Sequence, residues 1–377
     1  MTDNTTENIP SENIKVSVIL PVWNPGPGID RCIASLREQT LKEIEMIFVD
    51  DRGTDDSMAR VRAAAEEDPR IRVIVNPENI GPGPSRNAGI EAARGDYLLF
   101  ADPDDYLDLS FLEELYREAS AKDLAIVKGC LVFECEDGTP IPWGDVNGEI
   151  LRGLADGEPL FTLLCYQHQS VLTRRQILLD DHIRYGNSRC GEDKTFLLRL
   201  CCADPSFGIC RTSGAYHYVN RGMSSRNIWN EKMLMDRLDG FRERVDHLLV
   251  RGFDISAEKY ISGNAGYLLG VHSRASVVPA LKKPAAAFLA GLREQMLRCP
   301  WSQSTVDSDV SIRGLVVFGV NLLQTPFRFL PFKPGTKEHL IIIRRWFNFL
   351  CGHPGEIPAF FGVFVRTVGK NLKALLG

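Results

Sequence analysis

Several common chemistries lack their sequence carriers in this chain. Its ten cysteines form no C-x-x-C pair and no metal-ligand spacing, which argues against a zinc site or a disulfide scaffold and for reduced thiols in a cytoplasm. No uninterrupted apolar stretch reaches the ~18 residues a membrane-spanning helix needs; the nearest, Gly314 to Phe332, is broken by Asn321, Gln324, Pro326 and Arg328. The N-terminus shows no signal peptide, and residues 1–12 read as a polar, disordered lead-in. Gly81-Pro82-Gly83 has neither the G-x-G-x-x-G spacing nor a place after the first strand, which argues against a Rossmann dehydrogenase. A G-x-x-x-x-G-K-[ST] phosphate loop is also missing, so a P-loop NTPase is poorly supported.

What is present suits one large domain or two ordinary ones: 377 residues, 44% apolar and 25% charged. The net charge of -5 hides an asymmetry. Residues 311–377 hold nine Lys or Arg against two acidic residues, +7, leaving 35 basic against 47 acidic before them, -12. The body is acidic and the tail basic. No nucleic-acid partner is expected.

In chain order, Val16 to Pro21 is an apolar run ended by Pro21, a first strand, and Ile29, Cys32, Ile33 and Leu36 follow at helical spacing. Glu45 to Val49 is a second strand that stops at Asp50 and Asp51. Strand, helix, strand with ligand-type residues at both strand ends argues a βαβ unit and a parallel sheet. A helix at Ser57–Glu67 and a strand at Ile71–Val75 come next, and after a Gly- and Pro-rich loop, Asn76 to Pro84, either Ser85 or Asn87 opens a helix to Ala93.

Gly95 to Leu107, GDYLLFADPDDYL, is the centre of the pattern. Its apolar run, Tyr97 to Ala101, stops at Asp102, Pro103, Asp104 and Asp105, so the carboxylates emerge where a buried strand leaves the sheet, the edge at which open α/β sheets bind ligands. Three carboxylates within four residues repel one another unless a cation or a set of donors offsets them. A hard divalent ion bridging to a diphosphate suits this turn, since Mg²⁺-type ions take one or two carboxylates plus phosphate oxygens; the alternative is an acidic loop capping the next helix, Leu109–Ala119. Further on, Gly191-Glu192-Asp193 precedes Phe196, Leu197, Leu198 and Leu200, a helix start with carboxylates in its first turn, where the helix N-terminus alone would favour them.

VSVILPVWN, IEMIFVDDRGTDDS, ENIGPGPSRNAGIEAARGDYLLFADPDDY and CGEDKTFLLRL, in that order, resemble the successive motifs of the family 2 glycosyltransferases, inverting enzymes of GT-A fold; the resemblance runs from about Ile14 to Ser225. It implies an α/β fold with a mixed, mainly parallel sheet flanked by helices: a nucleotide-sugar half at 13–122 and an acceptor half at 123–225. A mainly helical C-terminal region, 226–377, would follow. It also implies that Pro21 to Trp23 border the uracil of a UDP-sugar donor, where Trp23 offers either a flat face for the base or a packing residue. Asp51 would accept the base's imino N–H while Asp50 holds the loop; Asn79 and Arg86 would reach the base and ribose. Asp102 would face the ribose and Asp104 would bind Mn²⁺ or Mg²⁺ between the phosphates. Asp193 would be the general base toward a saccharide or lipid-linked saccharide acceptor, and Arg221 and Ser224 would close over the donor phosphates. His217 is either a further metal ligand or a packed, hydrogen-bonded histidine.

Met233–Val250 and Ala265–Leu297 look helical, whereas Leu340–Leu350 and Phe360–Leu376 mix aromatic and basic residues. That composition fits an interfacial anchor giving peripheral contact at the inner face of a membrane, or a helical domain packed on the catalytic one. A protein that binds a nucleotide sugar or transfers a nucleotidyl group is the competing class. It lacks support in Val22 to Ile29, which holds no Lys or Arg for a triphosphate.

Overall fold

The computed structural model describes residues 14–141, 168–188, 191–203, 206–211, 214–220, 230–252 and 278–298, together with Asn147, Leu160 and positions 260, 261, 264, 268, 271 and 275. The chain divides into two compact units, residues 1–228 and 229–377. The first is α/β. Its elements run β1 (Val16–Val22), α1 (Gly28–Arg37), β2 (Ile44–Asp50), α2 (Ser57–Glu67), β3 (Ile71–Val75), α3 (Pro82–Ala92), β4 (Tyr97–Phe100), β5 (Tyr106–Leu107) and α4 (Phe111–Ala121). They continue through β6 (Ile126–Lys128), β7 (Cys130–Cys135), β8 (Val171–Arg174), α5 (Arg175–Asp180), α6 (Glu192–Ala203), β9 (Phe207–Ile209) and β10 (Ala215–Asn220).

The main sheet has the order β3-β2-β1-β4-β8-β6-β9, with β8 antiparallel to both neighbours and every other pair parallel. Strands β1, β2 and β4 are buried along their whole length because both faces are covered. Val16, Val18, Leu20 and Val22 join one core with Ile29, Leu36 and Phe111, while Ile19, Ile47, Leu98 and Phe100 join the other with Ile90, Phe196 and Leu200. At Gly89 of α3 a Cβ would stand 2.3 Å from Ile19 Cγ2, so only glycine lets this helix lie so close to β1. At the edge where the parallel strands begin, buried Glu45 accepts from Ser17 Oγ (2.6 Å), Arg94 N (2.6 Å) and Arg72 (2.5 Å), fastening β1, β2 and β3 together.

Two local expectations are corrected. Pro21 does not end β1 but lies within it, opposite Val49 of β2. Lys15 O and Ile19 O accept from Tyr97 N and Ala101 N, so odd-numbered residues of β1 face β4, which ends opposite Ile19. The missing N–H of Pro21 therefore falls beyond the neighbouring strand and costs no ladder bond. Helix α3 begins at Pro82, ahead of both Ser85 and Asn87, because Gly81 (φ 90°) turns the chain and Pro82 suits the first helical position. Strand β7 lies outside the main sheet and belongs to a second, three-stranded sheet in the order β5-β10-β7. The chain crosses between sheets at Gly129, where a Cβ would meet the Phe111 ring at 2.7 Å.

The second unit contains α7 (Glu231–Val250), opened by Asn230, whose Oδ1 accepts from Met233 N at 2.8 Å, and α8 (Lys282–Arg298). Leu234, Leu238, Phe241, Val245 and Leu248 form the buried stripe of α7, and α8 lies against it so closely that a Cβ at Gly291 would stand 2.5 Å from Leu238 Cδ2. No described helix is long and apolar enough to cross a membrane. The lead-in, Arg221, Ser224 and the basic tail lie outside the described residues.

Candidate active site

Strands β1, β2 and β3 are laid down in one direction across the sheet, and the chain then returns to place β4 on the other side of β1. That reversal makes a crevice at the carboxyl ends of β1 and β4. Trp23 stands at the first of these ends, 56% exposed, so it is a free aromatic face and not a packing residue. Its loop is tied to the one after β2: Asn24 Oδ1 accepts from Thr54 N (2.6 Å) and Asp55 N (3.1 Å), and Asp55 Oδ2 accepts from Gly26 N (2.9 Å).

Asp50 holds its own loop, accepting from Arg52 N (3.0 Å) and Arg62 (2.9 Å). Asp51 is buried, and its carboxylate takes three protein donors: Asn76 Nδ2, Ile80 N and Gly81 N, each at 2.9 Å. A carboxylate has about four lone-pair sites, so one remains for a ligand donor. Ser85 contributes to the same network, accepting from Asn76 and donating to Gly81 O. Asn79 is half-buried in the loop that Asp51 anchors.

Each acidic residue of the turn after β4 has a distinct environment. Asp102 accepts from Arg86 at Oδ1 (2.8 Å) and from Gln169 Nε2 at Oδ2 (3.0 Å). Burial pushes its pKa up, but Arg86, His168 and Gln169 outweigh burial and hold it below the ordinary carboxylate value. Asp105 is enclosed: it accepts from Tyr216 Oη (2.7 Å) and Val219 N (2.8 Å), while the Tyr216 hydroxyl accepts from Asp102 N (3.0 Å). Burial, then the charges of Asp102 and Asp104, raise Asp105 well above its usual range. Asp104 is only half-buried.

Among the described residues no group of three or more His, Cys, Asp or Glu stands together to hold a metal. The turn nevertheless suits a hard cation. Asp104 is half-buried in the turn, next to the enclosed Asp105, and an Mg²⁺-type ion needs only one or two protein carboxylates when phosphate supplies the remaining oxygens.

Arg86 is 4% exposed and joins the two halves of the site, since its guanidinium pairs with Asp102 and, at 3.3 Å, with Glu192 at the start of α6. It also lies over the Tyr185 ring, 5.2 Å from the centroid. Next along α6, the Asp193 side chain is 23% exposed and accepts from Lys194 N (2.8 Å). Burial disfavours its charge, yet the neighbouring His168 and then Lys194 hold its pKa well below the ordinary carboxylate value. Asp193 is therefore ionised at neutral pH.

His217, the other histidine in question, is packed: its ring stacks on Tyr106 (4.2 Å between centroids), and Nε2 meets Asp108 Oδ1 at 2.9 Å. The segment 168–170 was not singled out from the sequence. His168 faces Asp193, Gln169 bonds Asp102, and Ser170 pairs with the buried Lys128. A run of four polar residues, 167–170, immediately before β8 was its only sequence signal.

A mainly parallel sheet with an acidic turn at its switch point and a second carboxylate on an adjoining helix defines a GT-A type fold. Residues 17–180, a little under half of the chain, match the model of glycosyl transferase family 2. Over 115 residues it is 45% identical to the "uncharacterized glycosyltransferase EpsJ" of Bacillus subtilis, covering 30% of this chain and 33% of that protein. The match thus spans about a third of that relative's length. Succinoglycan biosynthesis protein ExoO of Rhizobium meliloti is 28% identical over 63% of this chain and 73% of its own length. Among solved structures, S. aureus TarS 1–349 in complex with UDP superposes with a TM-score of 0.52 at 18% identity, over 74% of this chain and 90% of that one.

Proposed function

We propose that the chain is an inverting, metal-dependent glycosyltransferase that moves a sugar from a UDP-sugar to an acceptor hydroxyl in the assembly of a cell-surface polysaccharide or glycolipid. The observation that carries this reading is Asp193: a carboxylate kept ionised against its own partial burial, joined through Glu192 and Arg86 to the Asp102 turn. A nucleotide-binding protein has no need of such a group. Trp23 would stack on the uracil, and the remaining lone pair of Asp51 would accept the imino N–H, with Asn79 beside it. Asp102, fixed by Arg86 and Gln169, would face the ribose.

In the reaction the acceptor oxygen attacks the anomeric carbon from the face opposite the diphosphate. The bond from that carbon to the diphosphate oxygen breaks with inversion, and the acceptor proton passes to Asp193. Asp104 would hold the Mn²⁺ or Mg²⁺, which when bound supplies Lewis-acid neutralisation of the departing diphosphate. Arg221 and Ser224 would close over the phosphates, and the basic aromatic tail would hold the enzyme at the inner face of the membrane, near a saccharide or lipid-linked saccharide acceptor. A relative whose name assigns it to succinoglycan biosynthesis and a fold neighbour solved with UDP support the donor and pathway class.

The test is a panel of nucleotide sugars incubated with Mn²⁺ and, separately, with a chelator. Slow hydrolysis of a UDP-sugar that the chelator stops is the expected result. No turnover of any UDP-sugar, with UDP binding intact, would leave a binding protein instead.

A further inference from the structure

His168 is 3% exposed, and neither of its ring nitrogens has a hydrogen-bond partner among the described residues. The ring stands edge-on to Phe100 and Tyr185, centroids 6.4 and 6.0 Å apart, so aromatic packing fixes its plane. Burying an imidazole with both nitrogens unpaired is costly, which asks for a partner that arrives in another state of the site. One is close: Nδ1 lies 3.9 Å from Asp193 Oδ2, just beyond hydrogen-bond length. Oδ1 of the same carboxylate is already held by Lys194 N. The next residue, Gln169, bonds Asp102 across the crevice. Adjacent residues of one segment thus address both carboxylates of the site.

We propose that His168 is the positioning residue of Asp193. With substrates bound, its Nδ1–H closes on Oδ2, fixes the rotation of the carboxylate and leaves the remaining lone pairs toward the acceptor hydroxyl. Hydrogen bonds of this kind are often long before substrate binds. This inference rests on Asp193 being the base. The other charged or titratable groups around the pair are Glu192, Lys194 and Arg86, with Tyr185 and Asp102 beyond them. His168 is the largest influence favouring the Asp193 carboxylate.

The test has two arms, both on the full chain. In the first, the histidine ring resonances are recorded by NMR with UDP and Mg²⁺ bound, with the His168 signals assigned by their loss in His168→Asn. A closed Nδ1–H to carboxylate bond protects that proton from exchange and moves it downfield, so in Asp193→Ala the His168 Nδ1 proton signal should be lost or shift; an unchanged signal overturns the pairing. In the second, metal-dependent hydrolysis of UDP-sugars is measured. His168→Leu should lower kcat by roughly 10- to 100-fold, the scale of a misplaced catalytic group, with donor KM and UDP affinity unchanged and the acidic limb of the kcat profile moved up. His168→Asn, whose amide can stand where Nδ1–H does, should recover most of the rate, and His168→Gln, whose amide reaches the Nε2 position, should not. Wild-type kcat in His168→Leu, or equal losses in the Asn and Gln variants, would overturn the proposal. If the wild-type chain hydrolyses no UDP-sugar, the functional reading fails, and the NMR arm still decides whether His168 and Asp193 are a pair.

Discussion

Replacing Arg86 by methionine tests the architecture of the site without any knowledge of its substrates. The guanidinium is 4% exposed and pairs with two carboxylates, Asp102 at 2.8 Å and Glu192 at 3.3 Å. Removing one partner of a buried ion pair typically costs 3–5 kcal/mol, because the charge left behind has lost its compensation. Asp102 and Glu192 keep some exposure, 24% and 12% for their side chains, so water recovers part of that loss and about 2–3 kcal/mol is expected near pH 7. The pH dependence has a definite sign. Asp102 has a folded pKa below its ordinary value, so its pairing contributes stability that is present above the unfolded pKa of about 3.9 and lost as pH falls through the folded value. The destabilisation by Arg86→Met should therefore be full at pH 7 and shrink below pH 4. Urea denaturation of the wild type, Arg86→Met, Asp102→Asn and the double variant forms a cycle, in which a coupling energy of at least about 1 kcal/mol at pH 7 is expected for residues in direct contact. A coupling indistinguishable from zero, or one that does not diminish in acid, would refute the bridge.

Asp104→Asn should abolish turnover and remove most of the Mn²⁺-dependent gain in UDP affinity; calorimetry with and without Mn²⁺ checks this, and equal affinities for variant and wild type in Mn²⁺ would sink the metal role. Asp193→Asn should leave donor binding unchanged while transfer falls by roughly 10² to 10⁴, the usual contribution of a general base. A helix-terminus role alone is worth only about 0.3–1 kcal/mol of stability and predicts near wild-type transfer, so a transfer assay with a melting curve separates the two. UDP should bind more tightly than CDP in competition titrations, since cytosine N3 carries no proton to donate, and the reverse order would remove the uracil contact assigned to Asp51. Lys128 is buried against Ser170 and the Gln169 carbonyl (3.3 Å), and burial drops its pKa to about 7. The unfolded chain holds that proton up to pH 10 or so, hence stability should rise between pH 7 and 10 by at most about 1.4 kcal/mol per pH unit, and Lys128→Met should flatten that slope in denaturation curves.

The parallel half of the sheet was legible in the sequence because both of its faces are covered. Ser57–Glu67 and Ile71–Val75 are observed at their expected bounds, since buried strands and the helices between them are set by local apolar periodicity and turn formers. Asp51, Asp102, Asp104 and Asp193 were visible for the same reason: they end strands or open a helix, which local pattern marks. What escaped was decided by neighbours in space. The harmless place of Pro21 depends on how far β4 extends. The transfer of β7 to a second sheet depends on its partner β10, 80 or so residues on. That Arg86 bridges Asp102 to Glu192, 106 residues away, that Tyr216 encloses Asp105, and that His168 and Gln169 each address one carboxylate are contacts between segments whose spacing carries no periodic signal. The residue types fixed which chemistry was available along one edge of the sheet. Tertiary packing decided how readily each carboxylate holds its charge, because charge in a crevice depends on burial and on partners brought from far along the chain.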